Sequence, residues 1–238
     1  MLPRSAFPLL LLNMFLANLS MGLVIPIVPE LLEMFSASGQ AAGYLVSCFG
    51  LTQFLFSPFA GNLSDRYGRK PMIITGLILF AISNLLAAFA GDLTLLFVSR
   101  LIGGIGSAAL VPAIIAYVAD ITADARRSKA MSWLGASMTS GFIIGPGVGG
   151  LLAEWGITMP FFASASVGLL AMICSMWMLP EPLSPEIRRL RQSVQDKKDN
   201  IFRQIGLSVK SRYFILLLIV FAMTFGLTHF EAIFPLFV

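Results

Sequence analysis

The chain has 238 residues, of which 57% are hydrophobic and only 12% are charged, and its mean hydropathy is +0.86. A typical soluble domain carries about 25% charged residues, so this composition excludes an ordinary water-exposed globule. Seven stretches are apolar for about 20 residues, the length that a helix needs to cross the hydrocarbon core of a bilayer. The composition therefore predicts a polytopic membrane protein.

The counts of cysteine and histidine exclude further classes. The two cysteines, Cys48 and Cys174, lie inside apolar stretches, and His229 is the single histidine. These residues are too few for a zinc site or a serine-histidine-aspartate hydrolase, and the position of the cysteines argues against a disulfide framework. We predict no enzymatic activity, no metal and no cofactor.

The apolar stretches predict seven transmembrane helices. In chain order they cover residues 7–28, 41–60, 72–90, 95–119, 132–153, 161–179 and 213–238. Strands are not expected, because an open sheet edge leaves backbone groups unpaired in hydrocarbon, and the apolar stretches lack the alternation of barrel strands. The predicted fold class is all-α and transmembrane.

Basic residues fall almost entirely on one side of these helices. Fifteen of the 16 Lys and Arg residues precede the first helix or follow the second, fourth and sixth. The opposite connections contain Glu30, Glu33, Asp92 and Glu154 and no basic residue. Because Lys and Arg accumulate at cytoplasmic ends, we predict a cytoplasmic N-terminus. This asymmetry also explains the net charge of +4, so nucleic-acid binding is not inferred from that charge.

The connection between the sixth and seventh helices is the longest. It predicts a six-helix bundle at residues 1–180, a cytoplasmic basic linker at 181–212 and the first helix of a truncated C-terminal bundle at 213–238. Gly61 and Gly150 each begin the pattern Gly-x-Leu-x-acid, on opposite membrane faces. This weak repeat predicts two three-helix units of inverted topology. The apolar run at Val238 leads us to expect a fragment of a longer transporter.

A polar segment, GNLSDRYGRK at residues 61–70, separates the second and third helices. We expect a tight turn, in which Gly61 and Gly68 permit unusual dihedral angles and Asp65 can pair with Arg69. The charges allow a latch between helices. They also fit a solvated hairpin, which composition alone favours.

Glycines in the fifth helix recur on one face. Gly141, Gly145 and Gly149 are spaced every four residues, so another helix can approach closely, and Pro146 removes a backbone hydrogen bond. This pattern predicts a packing hinge. Gly145, Gly147 and Gly150 also satisfy G-x-G-x-x-G, but a dinucleotide site requires a preceding strand that the predicted fold lacks.

Two ionisable residues within the predicted helices are candidates for transport chemistry. Inserting Arg100 in the fourth helix costs roughly 2.5–3.5 kcal/mol, so it should face the interior or a wet cavity. Burial of Glu231 in the seventh helix favours its protonated form, as a proton-coupled carrier requires. The alternatives are an Arg100 bonded to backbone carbonyls or reaching outward, and a Glu231 at the membrane rim.

These motifs carry a family resemblance. The segment 61–70 resembles the cytoplasmic loop signature of the major facilitator superfamily, and Leu96, Arg100 and Gly104 resemble its LxxxRxxxG signature. The sequence GFIIGPGVGG at 141–150 is similar to the fifth-helix motif of its drug:proton antiporters. The resemblance implies a multidrug exporter that exchanges drugs for protons.

The resemblance also implies residue roles. Proton coupling would involve Arg100 and Glu231. The conformational latch would comprise Gly61, Asp65, Arg66, Gly68 and Arg69, and the antiporter hinge Gly141, Gly145, Pro146 and Gly149. The substrate-binding residues would be Asn18, Phe49, Gln53, Met138, Phe142, Phe230 and Phe234. The apolar members of that last set could equally face lipid or neighbouring helices.

The predicted function is proton-coupled efflux of lipophilic or cationic drugs across the cell membrane by alternating access. The expected partners are the lipid bilayer, small lipophilic drugs, protons and the C-terminal bundle of the same transporter. The alternatives are a symporter of a sugar or metabolite, a seven-helix receptor or retinal pump, and a non-transporting membrane fragment. The glycine-rich fifth helix argues against the symporter. The charge bias and the absence of lysine after Lys210 argue against the receptor and the pump.

Overall fold

The computed structural model describes residues 6–184, residues 186 and 188, and seven residues between 214 and 226. The helices are α1 (Ala6–Val24), a 3₁₀ turn (Ile25–Ile27), α2 (Val28–Met34), α3 (Gly39–Tyr67), α4 (Arg69–Ala88), α5 (Leu93–Ile121), α6 (Asp124–Ala153) and α7 (Met159–Met178). The described part of the chain contains no strand, so the predicted all-α class is confirmed.

Within the described residues, six helical segments are long and apolar enough to cross a membrane, with α1, the 3₁₀ turn and α2 counted as one. They correspond to the first six predicted helices. Pro26 and Pro29 lie within the first segment, where the helix tightens into the 3₁₀ turn, because proline removes a backbone donor. Most of the seventh predicted helix lies outside the described residues.

Two helices extend well beyond their predicted ends. Helix α3 continues to Tyr67 instead of ending at 60, and α6 begins at Asp124 instead of 132. The expected tight turn over 61–70 is therefore wrong, since Gly68 alone separates α3 from α4. Its φ of +115° breaks the helix, as glycine allows. Hydropathy marks where the apolar stretch ends, whereas helical hydrogen bonding continues through the polar residues that follow.

The helices pack in a pattern with internal symmetry. Helix α5 packs most extensively on α4 and also packs on α3, α1 packs on α6, and α4 packs on α7. Helices α1–α4 contain the first three membrane helices, and α5–α7 are the next three. If these two sets are repeats, the first membrane helix of each repeat packs on the second membrane helix of the other repeat. The third helices of the two repeats pack on each other. This exchange is the arrangement expected of two related three-helix units.

The glycine face of α6 lies directly against α1. A Cβ atom added at Gly145 would lie 2.7 Å from the Cα atom of Gly22 and from the carbonyl oxygen of Leu19. Gly141 and Gly149 meet the α1 backbone in the same way, at Phe15 and Leu23. The predicted close helix approach is confirmed, while the hinge role of these residues stays a prediction.

Two of the three buried clusters among the described residues are extensive and hold the bundle together. The larger one surrounds Tyr117 on α5 and Leu10 on α1, and the smaller one surrounds Ile27 and Phe161 at the opposite end of the bundle. In contrast, α3 and α6 keep exposed apolar faces, with Phe54 73% and Ile143 70% exposed. These two helices occupy equivalent places in the two repeats.

Candidate functional site

A cavity of about 220 Å³ lies among the helices. Every helix contributes to its wall, and apolar side chains cover most of it. Six residues predicted for substrate binding or proton coupling line this cavity: Asn18, Phe49, Gln53, Arg100, Met138 and Phe142. The other three predicted residues, Phe230, Glu231 and Phe234, lie outside the described residues.

The two predicted amides are anchored differently. Gln53 Nε2 on α3 donates to Ser107 Oγ on α5 at 2.9 Å, so this pair bridges two helices across the wall. Asn18 Nδ2 donates to the carbonyl oxygen of Met14 in its own helix, at 2.8 Å. Both side chains thus satisfy a donor that would be costly to leave unpaired in an apolar wall.

Arg100 is the single charged side chain among the described residues of the cavity wall. Its Nε donates to Ser99 Oγ over a long 3.4 Å, and its guanidinium carbon lies 5.7 Å from the centre of the Phe161 ring. Its Nη2 atom is buried and has no hydrogen-bond acceptor within the described part. No described carboxylate forms an ion pair with Arg100.

Glycines explain how α5 fixes Arg100 at the wall. A Cβ atom at Gly103 would lie 2.6 Å from Ser83 Oγ, and one at Gly104 would lie 2.5 Å from the carbonyl oxygen of Phe49. Helix α5 therefore contacts α4 and α3 closely, one turn after the arginine. Leu96, one turn before it, is buried. The LxxxRxxxG spacing thus places a buried leucine one turn before Arg100 and a close contact between helices one turn after it.

A second arginine lies in a polar cluster where the C-terminal ends of α3 and α5 meet the N-terminal end of α4. We name it the Arg69 network: Ser64, Asp65, Arg69, Asp120 and Glu181. Only 5% of Arg69 is exposed, and its guanidinium donates to Asp65 at 2.7 Å, to Asp120 at 2.9 Å and to Ser64 at 2.9 Å. The predicted pair of Asp65 and Arg69 is confirmed, and the buried guanidinium is incompatible with a solvated hairpin.

Glu181 closes the network from the end of α7. Its carboxylate accepts the backbone N–H groups of Arg69 and Lys70, each at 3.0 Å. These are first-turn donors of α4, where a negative charge is stabilised by the helix dipole. Arg188 lies 3.6 Å from the same carboxylate and donates to the carbonyl oxygen of Tyr67. The segment after α7 is thereby tied to the α3–α4 junction.

The other predicted latch residues differ in their surroundings. A Cβ atom at Gly68 would lie 2.5 Å from Glu181, so that glycine is required by both its dihedral angle and its neighbour. Gly61 lies inside α3 without a positive φ, and nothing lies within 4 Å of its Cβ position, so the unusual dihedral angle expected there is not found. Arg66 lies over the ring of Tyr67, with 5.7 Å between its guanidinium carbon and the ring centre.

Sequence reasoning missed Asp120, Glu181, Ser64 and Tyr117. Tyr117, whose hydroxyl donates to the carbonyl oxygen of Pro180, ties α5 to the same segment. A signal for the acids was present. Asp65, Asp120 and Glu181 follow the second, fourth and sixth helices, and the ends of even-numbered helices meet on one membrane face. Three acids at that face, next to a conspicuous arginine, indicate an ion-pair network.

Comparisons with known proteins agree with this architecture. Residues 10–238 match the Major Facilitator Superfamily. Multidrug resistance protein 2 of Bacillus subtilis (strain 168) is 43% identical over 98% of this chain and 58% of its own length. The quinolone resistance protein NorA of Staphylococcus aureus (strain Mu50) is 34% identical over 94% of this chain and 56% of its own length.

A solved structure shares the fold. The human organic anion transporter MFSD10 superposes with a TM-score of 0.67 at 28% identity, covering 78% of this chain and 49% of that one. The chain thus spans little more than half the length of the curated relatives it matches. The family match covers most of the sequence and agrees with a bundle of apolar helices around a cavity. The chain belongs to the Major Facilitator Superfamily, whose members are membrane transporters rather than enzymes.

Proposed function

We propose that the protein is a proton-coupled exporter of lipophilic, often cationic, compounds that works by alternating access across the cell membrane. The observation that carries this proposal is the largely apolar cavity with a single described charge, in a chain 43% identical to a multidrug resistance protein. Apolar walls with few polar groups suit structurally diverse hydrophobic compounds.

Alternating access needs two bundles that rock about a shared cavity. Residues 1–180 would form the first bundle, 181–212 a cytoplasmic basic linker, and 213–238 the first helix of the second. The exposed apolar faces of α3 and α6 support this division, because each offers a surface on which a second bundle can pack. The N-terminus would lie in the cytoplasm, where the basic ends of the helices face the inner leaflet.

The remaining residues have proposed roles in the cycle. Arg100 and Glu231 would couple transport to protons, and one pH unit supplies about 1.4 kcal/mol per proton for this purpose. The α6 glycines with Pro146 would form the hinge against α1. The latch residues would hold one state through the Arg69 network. Substrate would contact the predicted residues of the cavity wall together with Phe230 and Phe234.

The test uses the full-length protein, reconstituted in liposomes with a fluorescent cationic dye and an imposed pH gradient. We expect dye transport that stops when nigericin collapses the gradient. Glu231→Gln should abolish gradient-driven transport, since a glutamine cannot carry the proton. Glu154→Gln is the matched control, because Glu154 is exposed at the end of α6.

Three results would contradict the proposal or a part of it. If the wild-type protein still transports dye without a pH gradient, transport is not coupled to protons. If Glu231→Gln leaves gradient-driven transport unchanged, Glu231 does not carry the coupled proton. Transport of a sugar in place of every dye tested would favour the symporter alternative.

A further inference from the structure

The guanidinium of Arg100 is held at one end and free at the other. Its Nε donates to Ser99 Oγ at 3.4 Å, whereas its Nη2 is buried and has no acceptor within the described part of the chain. The Phe161 ring lies beside it, with 5.7 Å between the guanidinium carbon and the ring centre. A ring does not fix the direction of the N–H groups as a hydroxyl does. Among the described residues, the contact with Ser99 therefore sets the direction of the guanidinium.

The hydroxyl of Ser99 is oriented to accept from Arg100. Its own proton is directed at the carbonyl oxygen of Leu96, one turn back in α5, at 2.6 Å. The lone pairs of the hydroxyl oxygen then remain for the guanidinium, which has donors and no acceptor. Ser99 is fully buried, so bulk water does not supply another acceptor at this point.

A second serine, on α4, holds the backbone next to Arg100. Ser83 Oγ donates to the carbonyl oxygen of Ser99 at 2.8 Å, and both serines are buried. Gly103 leaves the space for this bond, since a Cβ atom there would lie 2.6 Å from Ser83 Oγ. A hydrogen bond from α4 thus fixes α5 at the residue that precedes Arg100.

We infer that Ser99 and Ser83 are positioning residues for Arg100. Ser99 directs the guanidinium at the cavity wall, and Ser83 fixes the α5 backbone from which Ser99 acts. A functional group keeps a productive geometry only when the hydrogen bonds behind it are in place. This inference rests on the proposed role of Arg100 in proton-coupled export, and it names the residues through which α4 and α5 control that role.

The first measurement is export kinetics of the full-length protein in liposomes, with a fluorescent cationic dye and an imposed pH gradient. We expect Ser99→Ala to lower the maximal export rate about twofold to tenfold, the range of one net hydrogen bond. The dye concentration at half-maximal rate should not change, because neither hydroxyl is proposed to contact the dye. Ser83→Ala should have a smaller effect, since its hydroxyl holds the carbonyl group of Ser99 and not the guanidinium.

Ser164→Ala is the matched control. Ser164 is a buried serine on α7 whose hydroxyl has no hydrogen-bond partner in the described part of the chain, so the same substitution there breaks no bond. Its maximal export rate should equal that of the wild-type protein. A loss of rate in this variant as large as that in Ser99→Ala would mean that any buried serine gives the same effect, and the inference would be overturned.

The second measurement follows the guanidinium itself and does not require transport. Phenylglyoxal modifies arginine side chains, and the rate at each arginine is read by mass spectrometry of the digested full-length protein. We expect Arg100 to react about twofold to tenfold faster in Ser99→Ala than in the wild-type protein, because its held end is released. Arg127, half exposed, is the reference for reagent access, and buried Arg69 is the reference for an intact fold. The rates at both references should stay constant.

The outcomes separate this inference from the function on which it rests. Equal modification rates of Arg100 in the wild-type protein and Ser99→Ala would overturn the inference. An equally large rise at Arg69 would also overturn it, since the substitution would then loosen the whole bundle. Faster modification of Arg100 with an unchanged export rate would show that the contact has no role in transport. If the wild-type protein exports no dye but Arg100 still reacts faster in Ser99→Ala, the positioning contact stands and the export function fails.

Discussion

The bundle contains two arginines in contrasting surroundings. Arg69 donates to three side chains, two of them carboxylates, within 2.9 Å. Arg100 has one long contact to a hydroxyl and an aromatic ring beside it. A cation whose hydrogen bonds are complete stabilises one packing arrangement, whereas a cation with a free buried donor is available to a ligand. Arg69 therefore stabilises the packing of the helices, whereas Arg100 is a functional group of the cavity wall.

The largest expected effect is on the Arg69 network. Arg69→Met removes the buried cation that compensates Asp65 and Asp120, and breaking a buried pair on one side costs about 3–5 kcal/mol, the lower end of which applies here because the two carboxylates keep 29% and 17% of their side chains exposed. The melting temperature of the full-length protein in detergent should fall sharply. Adding Asp120→Asn should restore part of the loss, because one uncompensated charge is then removed.

The control for this variant is Arg127→Met. Arg127 pairs with Asp124 at 2.9 Å, but both side chains are exposed, and such pairs contribute little stability. Its melting temperature should stay close to that of the wild-type protein. Equal losses of melting temperature for the two variants would show that the burial of Arg69 does not contribute to stability. Arg69 could then no longer be distinguished from Arg100 as a structural residue.

A smaller effect is expected at the contact of α1 with α6. Gly145→Ala places a methyl group 2.7 Å from backbone atoms of α1, and overpacking typically costs about 1–3 kcal/mol. Gly147→Ala is the matched control, since nothing lies within 4 Å of its Cβ position and alanine favours the helix. Thermal unfolding should show a loss for the first variant and none for the second. The reverse order would mean that α1 and α6 do not pack through these glycines.

The smallest effect is expected at Glu181. Replacing its carboxylate by an amide in Glu181→Gln removes a charge from the N-terminus of α4, which is worth about 0.3–1 kcal/mol. The melting temperature should fall by a small but measurable amount, and less at high salt, because salt screens this interaction. A loss as large as that of Arg69→Met would indicate that Glu181, and not Arg69, dominates the network.

Much of the fold was predictable from the sequence because a bilayer constrains helix length and charge placement. Hydropathy located the six described membrane helices, and the glycine spacing at 141–149 predicted the contact with α1. The ends of the helices were missed, since helical hydrogen bonds continue past the apolar stretch. The expected turn at 61–70 is for this reason an extension of α3 followed by Gly68 alone.

The candidate site was predictable where polar residues interrupt an apolar helix. Asn18, Gln53 and Arg100 are conspicuous for that reason, and all three line the cavity. Only part of the Arg69 network was predicted from the sequence. The pair of residues 65 and 69 is local, whereas Asp120 and Glu181 come from distant parts of the chain. Such contacts depend on which helix ends meet, and that information is not contained in the spacing of any one segment.

The most direct test is gradient-driven export by Arg100→Gln in the full-length protein, measured together with its melting temperature. We expect dye export to be lost while the melting temperature stays equal to that of the wild-type protein or rises slightly, because an uncompensated cation has been removed. Export at the wild-type rate would contradict the account. So would a loss of stability comparable to that of Arg69→Met, since Arg100 would then be a structural residue.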